Sequence, residues 1–337
     1  MPPATDPFPS PHQRRALICG IGGQDGAYLA AHLLGLGYAV VGTSRNVSGN
    51  AFTGLARLGI RDRVSLVPMQ PTDFRSTLEA VADAAPDEIY NLAGQSSVSR
   101  SLQQPVETFQ SIVTATAHLL EVVRTAGRPI RFWNAGSAEI FGDTGGAPAG
   151  ERTALRPRNP YGAAKAAAFL QVALYREVYG VPAATGILFN HESPLRPEQF
   201  VTQKIVAAAC RIAHGSQETL SLGDLSVRRD WGWAPEYVVP MHLMLQLDTP
   251  EDFVIATGHT HSLEEFVSAA FAALGLDWRR HVIRDARLLR PGDIACSRAD
   301  TARARAGLRW SAEHSMADVA RLMVEARQAA DPLPAAA

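Results

Sequence analysis

The chain has 337 residues, 46% of them hydrophobic, and a formal net charge of −1, enough to bury one large core or two lobes. The near-neutral balance leaves no basic footprint for nucleic acid, and no apolar run approaches the length of a membrane span. Three unpatterned cysteines, Cys19, Cys210 and Cys296, fit a reducing cytoplasm and argue against a disulfide framework or zinc site. The histidines show no metal-ligand spacing, and no charged-then-apolar leader is visible, so a cytoplasmic location without a metal is expected.

Taken in chain order, residues 1–13 read as a Pro-rich, polar tail. A short apolar strand is expected at 16–19. A helix over 28–34 is closed by Gly35, and strands follow at 38–42 and 64–67. Then come a helix over 72–84, a strand at 88–92, a long helix over 107–125 and a strand at 130–133. A helix over 161–179 and a strand at 183–188 complete the alternation. This pattern predicts an α/β fold, a doubly wound parallel sheet of the Rossmann type over 14–189. Beyond it, helical stretches at 200–214, 237–247, 263–274 and 316–329 are split by Pro/Gly-rich loops. They predict a smaller substrate lobe over 190–330, with segments returning to the main sheet, and a tail over 331–337.

Two motifs carry chemistry. The first is the turn Gly20-x-x-Gly23-x-x-Gly26 between a strand and a helix, which suits a dinucleotide pyrophosphate at a helix N-terminus. The next strand ends Gly42-Thr43-Ser44-Arg45-Asn46 with no acid in reach. Arg45 therefore favours NADP through its 2′-phosphate, unless it is merely a solvated surface arginine. The second motif is Tyr161 followed four residues later by Lys165. The Tyr is a proton-transfer group, and a Lys one helical turn away is expected to acidify it.

The strand near Trp133 runs into Ser137-Ala138-Glu139, at the strand end where ligands collect. Ser137 is positioned to hold the substrate hydroxyl. Glu139 is superfluous for simple alcohol oxidation and suggests a second proton transfer, or else a helix-end acid favoured by the dipole.

These residues resemble the extended short-chain dehydrogenase/reductase superfamily, and within it the GDP-mannose 4,6-dehydratase family. The matching stretches are 23–26 (Gly-Gln-Asp-Gly), 90–96 (Tyr-Asn-Leu-Ala-Gly-Gln-Ser), 137–139, 159–161 (Asn-Pro-Tyr) and 186–194 (Gly-Ile-Leu-Phe-Asn-His-Glu-Ser-Pro). Further matches are 200–204 (Phe-Val-Thr-Gln-Lys), 229–232 (Arg-Asp-Trp-Gly) and 252–258 (Asp-Phe-Val-Ile-Ala-Thr-Gly). The resemblance implies that Ser137, Glu139, Tyr161 and Lys165 are catalytic. It implies that Asn190, Lys204, Arg229 and Arg290 hold a GDP moiety, with Ser97 and Ser137 also facing the substrate. Besides the glycines and Arg45, it implies cofactor contacts from Gln24, Asp25, Leu92, Ala93, Leu188, Asn190, His191 and Arg196, and from Tyr161 and Lys165 themselves. The chain departs from the family pattern at Ser97, Ala138, Leu195, Asn46 and Gln70.

The implied reaction is NADP-dependent dehydration of a GDP-hexose, GDP-mannose by the resemblance, to a GDP-4-keto-6-deoxy sugar. It proceeds by oxidation at C4, elimination across C5/C6 and reduction at C6. A nucleotide-sugar 4-epimerase or 4-reductase is the alternative, and neither needs a base for C5. A non-catalytic NADP-binding protein would be expected to have lost the Tyr/Lys pair. The helices over 107–125 and after Tyr161 are expected to pair across a two-fold axis into a homodimer or homotetramer.

Overall fold

The chain is described by a computed structural model that covers residues 13–289 and 292–330. The expected tails therefore lie outside the described residues, apart from Gln13, whose amide donates to the Gly37 carbonyl at 3.0 Å.

Seven parallel strands form the main sheet. They are β1 (Arg15–Cys19), β2 (Ala39–Ser44), β3 (Val64–Pro68), β4 (Glu88–Asn91), β5 (Arg131–Ala135), β6 (Ala183–Leu188) and, much later in the chain, β11 (Phe253–Ile255), in the order β11-β6-β5-β4-β1-β2-β3. Central strands covered on both faces need apolar side chains on both, and β6 is buried at every position. β1 pairs with β2 on one side and β4 on the other. The direction of winding reverses there, which opens a crevice beyond the carboxyl ends of the strands. Between β6 and β11 lie the short strands β7 (Asn190–Glu192), β8 (Leu220–Leu222), β9 (Arg228–Arg229) and β10 (Trp231–Trp233), and after β11 come β12 (His261–Ser262) and β13 (Val282–Arg284). β7 pairs with β10, so the chain leaving β6 is joined to the Trp231–Trp233 segment.

The helices are α1 (Gln24–Gly35), α2 (Thr53–Arg57), α3 (Phe74–Ala84), α4 (Val98–Gln103), α5 (Pro105–Phe109), α6 (Ala115–Thr125), α7 (Pro160–Tyr179), α8 (Val201–Ala213), α9 (Ala234–Gln246), α10 (Leu263–Ala272), α11 (Ala302–Gly307) and α12 (Met316–Ala330). Several start where their sequence dictates. Asp73 caps α3, Asn159 caps α7 ahead of Pro160, and Ser262 with Glu265 makes a reciprocal capping box on α10. One core unites β1, α1 and the buried Trp133 with α9, β11 and α11. The segments returning from the later part of the chain are thus a layer of the first lobe. A second core joins α8, α10 and α12. Among the described residues no helix is long and apolar enough to cross a membrane.

Two expectations need correction, and two short helices were not anticipated. α1 begins at Gln24, four residues before the expected start, because Gly23 serves as N-cap and Gly26 is accepted inside the first turn. The long helix expected over 107–125 is interrupted by a π-helical turn at Gln110–Thr114. Ser111 within it brings its hydroxyl to the Gln95 backbone N–H at 3.3 Å, beside the crevice. The short helices α2 and α4 have too few residues to show a period in sequence.

Candidate active site

The turn from β1 to α1 is built by steric necessity. Gly20 has φ +88°, and a Cβ there would lie 2.9 Å from the backbone of Leu92 and Ala93. A Cβ on Gly26 would lie 2.5 Å from the Gly20 carbonyl oxygen. The helix therefore sits as close to the strand as backbone allows. No side chain caps the N-terminus of α1, so its first N–H groups remain available to an anion, and Gly23 is exposed on that side. These residues fit the pyrophosphate of a dinucleotide.

Gln24 and Asp25 face inward. The Ser193 hydroxyl donates to Gln24 Oε1 at 2.7 Å, and the Gln24 amide donates to Asp25 Oδ1 at 3.0 Å. His191 Nε2 lies 2.9 Å from Asp25 Oδ2, and its Nδ1 lies 2.7 Å from the Phe189 carbonyl oxygen. Both neighbours can only accept, so both ring nitrogens must donate and the imidazolium is the form that fits. Burial would raise the Asp25 carboxyl, but the charge and hydrogen bond of His191 carry it down to about 2. Burial would likewise lower His191, yet Asp25 leaves it raised. The pair ties the glycine turn to β7.

The crevice is a cleft of about 330 Å³. Ser137 and Glu139 enter from the loop after β5, and Tyr161 and Lys165 from the first two turns of α7, and all four line it. Glu139 accepts a hydrogen bond from the Asn159 amide at 2.7 Å. Tyr161 and Lys165 are both buried. Burial pushes the phenol up to about 12, against a hydrogen bond from Ser137 that pulls it down. Burial also pulls the Lys165 ammonium down to about 8. Its Nζ donates to the Ala135 carbonyl at 2.7 Å and lies 5.8 Å from the Tyr161 ring centre. Desolvation dominates at Tyr161, and the groups that lower the phenol are Ser137 and Arg196 rather than Lys165.

Of the other expected residues, Leu92, Ala93, Ser97, Leu188, Asn190, His191, Arg196 and Arg229 line the same cleft with Asp25. Arg196 pairs with the buried Glu192 at 3.2 Å and lies over the Phe200 ring at 3.7 Å. Arg229 pairs with Asp293 at 2.8 Å and donates to the Ile294 carbonyl at 2.6 Å. Arg45 is exposed one residue beyond β2, outside the cleft lining. Lys204 is not brought to the cleft: it sits on the exposed side of α8 and its Nζ donates to the Ser221 carbonyl at 2.9 Å. Arg290 lies outside the described residues.

Sequence reasoning missed Asp293, Glu192 and the role of Asn159. Asp293 carries no motif of its own, and Glu192 sits inside the matching stretch 186–194 with no role assigned to it there. Asn159 was legible as a helix cap from the Asn-Pro pair, but its second partner is twenty residues away in sequence.

A family model described as GDP-mannose 4,6 dehydratase matches residues 17–323. The chain is 41% identical to GDP-mannose 4,6 dehydratase 2 of Arabidopsis thaliana, over 92% of this chain and 86% of that one. It is 41% identical to the GDP-mannose 4,6-dehydratase of Sinorhizobium fredii, over 92% and 95%. It is 38% identical to the human GDP-mannose 4,6 dehydratase, over 92% and 90%. Among solved structures, a UDP-glucose 4-epimerase of Thermotoga maritima superposes with a TM-score of 0.84 at 20% identity, covering 94% of this chain and 99% of the other. A dTDP-glucose 4,6-dehydratase of Streptomyces venezuelae with NAD bound gives 0.83 at 22% identity, over 93% and 97%. The RMD protein of Pseudomonas aeruginosa with NADPH bound gives 0.78 at 19% identity, over 94% and 100%. The structural likenesses identify the fold, whereas the sequence match spans nearly the whole chain at much higher identity. The chain therefore belongs to the GDP-mannose 4,6-dehydratase family and is a hydro-lyase of that type.

Proposed function

We propose that this enzyme dehydrates GDP-mannose to the GDP-4-keto-6-deoxy sugar, with NADP as its cofactor. The observation that carries the reading is a carboxylate, Glu139, in the same cleft as Tyr161, Lys165 and Ser137. Oxidation at C4 uses the Tyr; only elimination needs the additional acid–base group.

A nicotinamide dinucleotide, when bound, would supply the redox step. Tyr161 takes the proton of the C4 hydroxyl, whose oxygen Ser137 holds. The 4-ketone acidifies the neighbouring C5 proton, which Glu139 removes. The C6 hydroxyl leaves as water on receiving a proton from Glu139, C5 regains a proton from solvent when C6 is reduced, and Tyr161 returns to solvent the proton it took. The glycine turn holds the pyrophosphate. Arg229, already anchored at the cleft rim by Asp293, is a cation suited to the substrate diphosphate. Arg45 and the absence of an acid after β2 support NADP. The cysteine usage supports a cytoplasmic location.

The same reading includes a homodimer. α7 exposes Leu170, Leu174 and Val178 along one face, and Leu102, Val106 and Phe109 are exposed on α4 and α5. α4 and α5 both pack against α7, so these side chains supply an apolar surface suited to a second copy. Light scattering of Leu174→Glu against the parent tests that point.

The reaction is tested by incubating the purified enzyme with catalytic NADP and GDP-mannose in heavy water. The product is expected to have lost one water and gained one deuterium at C5, and a deuterium placed at substrate C4 to reappear at C6. A C4 label retained at C4 without loss of water would indicate an epimerase. A need for stoichiometric reduced cofactor would indicate a reductase.

A further inference from the structure

Asn159 joins the two halves of the catalytic cleft through a single side chain. Its Oδ1 accepts from the Gly162 N–H at 2.8 Å, capping α7. Its Nδ2 donates to Glu139 Oε2 at 2.7 Å. Only one orientation of the amide serves both partners, because the backbone N–H needs the carbonyl oxygen and the carboxylate needs the NH₂. The cap fixes the start of the helix that carries Tyr161 two residues on. The same amide fixes one oxygen of Glu139 and leaves Oε1 for chemistry.

The backbone is equally constrained. A Cβ on Gly162 would lie 2.7 Å from the Glu139 carbonyl oxygen, so the first turn of α7 rests directly on the Glu139 main chain. Pro160 sets the helical entry without needing a partner for a missing N–H. Glu139 itself lies in a short 3₁₀ turn, Ala138–Ile140, which has no strength to hold a side chain in one place.

We propose that Asn159 is a positioning residue for elimination: it holds the Glu139 carboxylate in register with Tyr161 so that the C4 oxidation and the C5 proton removal occur on one substrate pose. The inference rests on Glu139 acting as the base in the proposed function. It assigns Asn159 a task beyond capping, since Ser and Asp cap helices as well as Asn does but lack the NH₂ that reaches the carboxylate.

The test compares Asn159→Ser, Asn159→Asp and Glu139→Gln with the parent enzyme. Three quantities are measured: thermal midpoint, appearance of enzyme-bound reduced cofactor in a single turnover, and C5 deuterium incorporation with product formation. Asn159→Ser and Asn159→Asp are expected to keep the parent's thermal midpoint and the formation of reduced cofactor. Elimination is expected to slow by about tenfold or more in both, with kcat falling rather than KM rising. The Asp variant is expected to be at least as slow, since it faces one carboxylate with another. A cap alone predicts that Ser and Asp match the parent. If Glu139→Gln blocks elimination while both Asn159 variants eliminate at the parental rate, the positioning role is overturned and the assignment of Glu139 survives. If Glu139→Gln eliminates normally, the assignment of Glu139 falls, and the role of Asn159 falls with it.

Discussion

Two pairs of titratable residues line the cleft, and burial acts on them in opposite ways. In the Tyr161/Lys165 pair desolvation prevails. The phenol rises to about 12 and the amine falls to about 8, so both groups are driven toward their neutral forms. In the Asp25/His191 pair the partners prevail. The carboxyl falls to about 2 and the imidazole rises, so both are driven toward their charged forms. The distinction is one of hydrogen-bond completeness. Asp25 and His191 satisfy each other at 2.9 Å, with Gln24 and the Phe189 carbonyl completing the set. Lys165 has one carbonyl partner, and Tyr161 has only the Ser137 hydroxyl. A displaced pKa alone thus fails to mark a reactive site; displacement toward the neutral form inside a cleft is the more telling sign.

The largest expected effect that would break this comparison is on activity. Tyr161→Phe removes the proton-transfer group from the uncompensated pair and is expected to cost about 10²–10⁴ in kcat, with no reduced cofactor formed in a single turnover. Retention of parental turnover would move the chemistry away from this pair.

His191→Leu removes one partner of the compensated pair. Asp25 would then be a largely buried charge without its cation, and stability is expected to fall by about 3 kcal/mol, measured by denaturant unfolding at pH 6. The pH dependence follows from the signs. The raised His191 contributes stability fully below its unfolded value of 6.5, and this fades as pH rises through its higher folded value. The depressed Asp25 contributes above 3.8, and this is lost as pH falls toward about 2. The variant is expected to lack the decline on the alkaline side, and an unchanged slope there would show that His191 is neutral in the folded protein.

Arg45 belongs to neither pair and is exposed. Arg45→Ala is expected to weaken NADP binding by about 2 kcal/mol, the value of one charged hydrogen bond to phosphate, and to leave NAD binding unchanged by calorimetry. Equal loss for both cofactors would show that Arg45 does not read the 2′-phosphate.

The smallest effect has the opposite sign. Lys165 loses more to burial than the charge of Asp25 restores, its pKa lying at about 8 against 10.5 in the open chain. A group depressed in this way destabilises the fold at every pH below its folded value. Lys165→Met is therefore expected to raise stability at pH 7 by about 1–2 kcal/mol, after the Ala135 carbonyl loses its donor, while activity is lost. A destabilised variant would place Lys165 with Asp25 and His191, as a structural group.

Much of this was legible before any coordinates. The β6 strand was expected at the residues where it occurs, because 183–188 is a short apolar run bounded by Pro182 and a polar loop. That Ser137, Glu139, Tyr161 and Lys165 would face one cleft was legible because each follows a strand end or opens a helix. For Lys204, a positively charged residue in a matching stretch says nothing about which side of α8 it occupies, and the fold puts its Nζ on the Ser221 carbonyl. The interrupted helix at Gln110–Thr114 was hidden because a π turn keeps an apolar pattern close to that of an α-helix.

The sequence by itself determined the alternation of strands and helices, the glycine turn and the chemical identity of the reactive groups, since these depend on residue type and on spacings of a few positions. Tertiary structure decided what those groups experience. The return of α9 and β11 to the first lobe, the Asp25–His191 bond across 166 positions and the Asn159–Glu139 bond across 20 depend on how the chain closes on itself. Burial and long-range partners, which set the charge states of the buried groups, arise only at that closure, and no local spacing encodes them.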